Sequence, residues 1–248
     1  MVVTDKNTLK QKTDTFIQEN HITRLNKEPT DSFQKQIQQA IQKCDIMIDK
    51  CINKYLVNIK PTAPKLNALI KIHKENEPIR PVVNNTQAPS YKITKYLNKR
   101  LNSLINLPYM YTTKNSCEIA QKLNNIQIIK HNRMITPDIK DLYVNFPAQN
   151  ILQVTKFWLN KHNNSNTITE QTLYLLKVVL KENYFQYNNQ FSQLEKGIAM
   201  VSPISSTTAE VYLQFLEEIY IKQWLGIKEV IYYKRYVDDI LIIFDQNR

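Results

Sequence analysis

The 248-residue chain carries 33 Lys and Arg against 22 Asp and Glu, a formal net charge of +11, with 42% hydrophobic and 22% charged residues. These are globular values, so a disordered chain is excluded, and the length suffices for one large domain or two small ones with a real core. The basic excess, with a sequence pI of about 9.4, points to a polyanionic partner. That charge is focused. Between residues 60 and 100 nine Lys or Arg stand against Glu75 and Glu77, so this stretch supplies +7 of the total, which fits phosphate binding better than a diffuse excess would. Cys44, Cys51 and Cys117 have neither zinc-ligand spacing nor the even count of a disulfide framework, which fits a reducing compartment. His21, His73, His131 and His162 form no cluster. No apolar run reaches membrane-spanning length, and the first ten residues are too polar for a signal peptide. The chain reads as soluble and intracellular.

In chain order, a mixed helical stretch is expected over 9–17. From Asp31 a long amphipathic helix is expected, because Phe33, Ile37, Ala40, Ile41, Cys44, Met47, Ile48, Cys51, Ile52 and Tyr55 recur at spacings of three and four. Asp31 and Gln34 suggest a capping box at its start, and both cysteines fall on its core stripe. Five of the ten prolines lie between 56 and 90, so loops and short strands are expected there, with strands at 68–73 and 80–84. Tyr91, Ile93, Leu97, Leu101 and Leu104 mark a helix from Ser90 whose other face shows Lys92, Lys95, Lys99 and Arg100. Further expectations are a short helix after Ser116, a strand at 134–138, and helices at 149–160 and 168–182, the second capped by Thr167 and Glu170. A tight hairpin at 185–191 is centred on Asn188-Asn189, and a long helix runs from 202 to 224.

Three stretches carry the chemistry. Near the end, Glu229-Val230-Ile231-Tyr232-Tyr233 and Ile240-Leu241-Ile242-Ile243-Phe244 are β-branched and aromatic, so they read as a hairpin. Its turn region, Tyr236-Val237-Asp238-Asp239, has two adjacent carboxylates where a glycine is usual. Like charges repel, so a divalent cation is the expected neutraliser. The stretch Asp138-Ile139-Lys140-Asp141-Leu142-Tyr143 offers a third acid at a strand end, enough for the three-carboxylate cage that two-metal phosphoryl transfer uses. Between them lies Lys196-Gly197, running into Ser202-Pro203 at a helix start. With only two glycines in the chain, Gly197 suggests a tight turn or a close backbone approach to a ligand, and Ser202 and Pro203 suit a cap and first turn.

Strand-Asp-x4-Tyr, Lys-Gly-x4-Ser-Pro-helix and a Tyr-x-Asp-Asp hairpin, in that order, resemble reverse transcriptases. The resemblance is closest to the polymerase domain of Penelope-like retroelements, which is similar in turn to telomerase catalytic subunits. It extends upstream to Ile70-Lys71-Ile72-His73-Lys74 with Pro78-Ile79-Arg80-Pro81-Val82-Val83, to Val2-Val3-Thr4-Asp5-Lys6 and to Glu28-Pro29-Thr30. The resemblance implies that Asp138 and Asp238 are catalytic ligands of two Mg2+ or Mn2+ ions, with Asp239 assisting and Ile139 also in the metal set. Tyr143 would be the gate against a 2′-hydroxyl. Arg80, with Lys71 or Lys74, would hold the triphosphate, and Lys196 and Gly197 would border nucleotide and template. RNA template, DNA primer and dNTPs are the implied partners, without a membrane, and a nuclear setting is expected although no targeting signal is evident.

The implied fold is α+β, a polymerase palm (a small antiparallel sheet backed by helices) with helical and looped fingers and no thumb. The expected division is an N-terminal helical extension over 1–55, fingers over 56–130 and palm over 131–248. Three positions depart from the family pattern. Val201 stands where a glycine is usual, Ile70 replaces a proline, and Asp141 replaces a small residue. The chain also stops four residues after Phe244, so a fingers-plus-palm fragment with little processive synthesis is expected. The leading reading is an RNA-directed DNA polymerase module of a retroelement. The alternative is a catalytically inactive nucleic-acid-binding remnant. An RNA-templated RNA polymerase is disfavoured, since its hairpin would read Gly-Asp-Asp.

Overall fold

The computed structural model describes residues 5–20, 22–72, 74–139, 142–143, 147–194, 197–198, 202–227 and 229–247. The chain divides into two compact units, each discontinuous in sequence: Met1–Ile105 with Tyr143–Thr207, and Asn106–Leu142 with Thr208–Arg248. Both mix helices and antiparallel sheet, so the fold is α+β. No helix among the described residues is long and apolar enough to cross a membrane.

The first unit is built on a five-stranded sheet of β1 (Thr23–Leu25), β2 (Lys65–Ile70), β3 (Ile79–Asn84), β5 (Tyr184–Tyr187) and β6 (Gln190–Gln193), in the order β1-β6-β5-β2-β3. Only β2 and β5 run parallel. Alternation along β5 sends Tyr184 and Phe185 to opposite faces. Tyr184 stacks on Phe33 of α2 (Thr30–Lys43) at 5.1 Å and 9°. Phe185 joins Leu66 and Val83, with Ile17 of α1 (Lys6–Glu19) packed against them. Helices thus cover both faces. Behind α2, the apolar stripes of α3 (Tyr91–Leu104), α5 (Ala148–Lys161) and α6 (Asn166–Lys181) meet, burying Ile93, Leu97, Trp158, Leu175 and Leu176. The β5–β6 turn is Asn188-Asn189, with φ of 48° and 59°, the pair of left-handed residues that a two-residue hairpin needs.

The second unit holds a three-stranded antiparallel sheet, β4 (Asn132–Ile135), β8 (Asp239–Asp245) and β7 (Val230–Tyr236), in that order. It also contains α4 (Ser116–Leu123), and α8 (Lys222–Gly226), whose end leads into β7. The helix α7 (Ser205–Leu216) enters this unit from the first and continues into a π-helical turn, Glu217–Ile221, before α8.

Several boundaries differ from the sequence-based expectations. The helix from residue 31 does not run to 55. It stops at Lys43 with Cys44 as its C-cap, and Gln171 of α6 takes over the exposed backbone by accepting the Met47 N–H at 2.9 Å. The apolar spacing continues because the following turns bury Met47 and Ile48, whereas Cys51 and Tyr55 are exposed. The capping box does not form. Pro29 precedes the first turn without a side-chain cap, and Gln34 donates to the Asn58 carbonyl instead. Ser165, not Thr167, caps α6 by accepting the Ile168 N–H. The expected strand at 68–73 lies earlier, at β2, and the expected long helix starts at Ser205 because Ser202–Ile204 forms a turn.

Candidate active site

The hairpin β7–β8 pairs Tyr236 with Asp239, so its turn is Val237-Asp238 and Asp239 already belongs to β8. Val237 takes φ 55° and Asp238 does not share the positive φ, the pattern of a turn that normally carries glycine at its first central position. Here a β-branched residue holds it, which is costly. Asp138 forms an antiparallel bridge with Asp239 beyond the end of β4. Two backbone hydrogen bonds close that bridge, Ile139 N–H to the Asp238 carbonyl and Ile240 N–H to the Pro137 carbonyl, both 3.1 Å. Directly opposed antiparallel residues lie on one face of the sheet. Asp138 and Asp239 are therefore brought together across the bridge, with Asp238 at the adjoining turn, and all three are exposed.

Carboxylates are hard oxygen donors that suit Mg2+ or Mn2+. Among the described residues, however, no group of three or more His, Cys, Asp or Glu side chains is arranged to hold a metal ion.

Beneath the turn lies a network absent from the sequence-based expectations. Arg235 is buried in β7, its guanidinium bidentate to Glu210 of α7 through Nη1–Oε1 at 2.9 Å and Nη2–Oε2 at 3.0 Å. Its Nε donates to Glu217 Oε1 at 2.6 Å, and Nη1 also donates to the Val237 carbonyl at 3.0 Å. Tyr233 donates its hydroxyl to Glu217, and Gln214 donates to Glu210. Burial is the largest influence on Glu210 and opposes its charge, but the Arg235 and Gln214 hydrogen bonds and the Arg235 charge together outweigh it and hold that carboxyl below its ordinary range. Glu217 is buried more deeply, and burial pushes its carboxyl up in spite of Arg235. Burial also opposes the guanidinium charge, and the two glutamates more than offset it, so Arg235 is held above its ordinary value. The readable signal was the spacing of Glu210, Gln214 and Glu217, polar residues four and three apart on one helix face.

The remaining candidates lie in the first unit. Arg80 sits in β3 opposite Leu69, and strand alternation continues its exposed face to Lys71 at the start of the β2–β3 loop. Lys74 is exposed farther along that loop. Lys12 of α1 anchors the loop by donating to the carbonyls of Asn76 and Glu77 at 2.8 and 2.9 Å. Gly197 has φ 84°, the left-handed turn expected of it. Asn183 donates to its carbonyl at 3.1 Å, and the Ile198 N–H donates to the Tyr143 carbonyl at 2.8 Å, so Tyr143 and the Gly197 turn are tied together. Ile70 closes β2 opposite Ile79. Lys196, Asp141, Val201, His73 and residues 2–4 lie outside the described residues.

No family model matches the chain, and no curated protein matches it by sequence. The fold is similar to solved telomerases. One is telomerase from Candida albicans in complex with a TWJ fragment of telomeric RNA, with a TM-score of 0.60 and 10% identity over 98% of this chain and 42% of that one. Another is apo telomerase from Candida tropicalis, with a TM-score of 0.58 and 11% identity over 96% and 43%. A third, from C. tropicalis and truncated from its C-terminal domain, gives 0.52 and 14% over 78% and 47%. The chain spans less than half the length of these proteins, and at such identities the likeness is one of fold.

Proposed function

We propose that this chain is the palm-and-fingers part of an RNA-directed DNA polymerase, of the type found in Penelope-like retroelements. The observation that carries the reading is the bridge that sets Asp138 opposite Asp239 beside an Asp238 turn, within a fold similar to telomerases. The reaction is in-line attack of a primer 3′-hydroxyl on the α-phosphate of a dNTP, which forms a phosphodiester and releases pyrophosphate. Asp138, Ile139, Asp238 and Asp239 would hold two Mg2+ or Mn2+ ions, which when bound supply charge neutralisation at the reacting phosphate. Arg80 with Lys71 or Lys74 binds the triphosphate, since guanidinium and ammonium donors suit its oxygens. Tyr143 lies against the sugar and excludes a 2′-hydroxyl. Lys196 and Gly197 border nucleotide and template, and an intracellular, nuclear setting belongs to the same reading.

A second reading, which the focused basic stretch between residues 60 and 100 supports equally, is a nucleic-acid-binding remnant without synthesis. Primer extension on a primed RNA template with Mg2+ or Mn2+ separates the two. The polymerase reading expects extension with dNTPs that falls by roughly a thousandfold or more in Asp238→Asn, while RNA binding in EDTA is unchanged. Salt-sensitive RNA binding with no extension by the unaltered chain under any metal would establish the remnant instead.

A further inference from the structure

We infer that Arg235 is a positioning residue for the acidic turn: clamped between Glu210 and Glu217, it holds the Val237 carbonyl and so keeps the strained backbone that presents Asp238. The geometry stands by itself, and the consequence for catalysis rests on the polymerase reading.

Val237 is the reason such a lock is needed. A β-branched residue at φ 55° occupies a conformation that costs free energy and persists only where its surroundings over-determine it. Three hydrogen bonds tie the turn down. Two act on its flanks, through Ile139 and Ile240. The third, from Arg235 Nη1 at 3.0 Å, acts on Val237 itself.

The donor is built for this task. A guanidinium has five N–H groups in a planar fork. Here Nε and Nη2 contact Glu217 at 2.6 and 3.5 Å, Nη1 and Nη2 contact Glu210 at 2.9 and 3.0 Å, and Nη1 reaches Val237. The side chain is fully buried. An ammonium has three donors and no fork, so lysine keeps the charge but cannot span all three acceptors. The clamps are themselves oriented, Glu217 by the Tyr233 hydroxyl and Glu210 by Gln214, whose Oε1 also accepts the Tyr109 N–H at 2.9 Å. Glu217 opens the π-helical turn Glu217–Ile221, a rare departure from α-helix that recurs at functional sites. An apolar core would have served stability at least as well as a buried ion triad. What an apolar core cannot do is hold one carbonyl in one place.

The test compares the full chain with Arg235→Lys, Val237→Gly and the double variant, reading amide hydrogen exchange by NMR and single-nucleotide extension. Arg235→Lys is expected to keep its far-ultraviolet circular dichroism and to bind primed RNA in EDTA as before. Exchange at Ile139 and Ile240 should accelerate by about tenfold or more, and kcat should fall by about tenfold or more with the dNTP KM within about threefold. Glycine adopts positive φ without strain, so Val237→Gly should make the lysine substitution much less costly than it is in the valine background. Unchanged exchange and kcat in a folded Arg235→Lys, or equal losses in both backgrounds, would overturn the inference. Should the lysine variant not fold, Arg235→Met with Glu210→Gln and Glu217→Gln removes the charges together and carries the same expectations. If the unaltered chain extends no primer, the polymerase reading has failed, and exchange at Ile139 and Ile240 still decides the lock.

Discussion

Glu182 follows α6 with its residue 8% exposed, beside a cavity of about 20 Å3 that Asn85, Ser90, Asn183, Ser202 and Ser205 also line. Burial pushes its carboxyl up to about 7, and hydrogen bonds from Ser90 offset only part of that. The folded state therefore binds the proton more tightly than the unfolded chain does. Its contribution is fully present below the ordinary carboxylate range near 4.5 and is lost as pH rises through about 7. Thermal melts of Glu182→Gln against the unaltered chain should show the variant gaining relative stability between pH 5 and 8, by on the order of 3 kcal/mol. Arg235 answers a different question at this scale. Arg235→Met leaves two carboxylates facing each other without a counter-charge, so urea unfolding should report a loss of about 3–5 kcal/mol. Of these residues the sequence revealed the acids, because adjacent carboxylates in an apolar hairpin are anomalous by their chemistry alone. It did not reveal Arg235 as a hub, because the partners lie 18 and 25 residues away and meet it only when a helix packs beside the strand.

Local pattern predicted most elements, and its failures have physical causes. The β5–β6 hairpin follows from Asn188-Asn189, and each asparagine sits at positive φ. Asn189→Gly should be neutral or stabilising by up to about 1 kcal/mol, whereas Asn189→Val should cost about 1–2 kcal/mol in thermal unfolding. The helix expected to reach residue 55 ended at Lys43, because three- and four-residue spacing also describes a chain that turns back and buries the same side chains. No local signal marks Gln171, 124 residues from Met47, as the group that makes the break affordable. The basic face of α3 was legible, and it lies along a groove of about 670 Å3 lined by Lys60, Tyr91, Lys92 and Lys95. Lys95 sits over the Tyr91 ring at 5.6 Å. Replacing Lys60, Lys92 and Lys95 by Ala should weaken single-stranded RNA binding and lower the slope of log K against log salt by about 2.

For the whole molecule, a net charge of +11 predicts salt-sensitive association with nucleic acid. With at least three phosphate contacts, raising salt from 50 to 200 mM should weaken RNA binding by roughly 20-fold in filter or anisotropy titrations. The chain builds two compact units by passing between them more than once, a division that no composition shift along the sequence announces. By itself the sequence determined most of the helices and strands, the focused basic stretch and the anomaly of adjacent carboxylates in an apolar hairpin, since each depends on residue type and near-neighbour spacing. Only the tertiary structure decided that Asp138 bridges Asp239, that Val237 bears the strain of the turn, and that Glu210 and Glu217 converge on Arg235. These are contacts between residues far apart in the chain, and they form where packing repays the loop closure and desolvation that they cost.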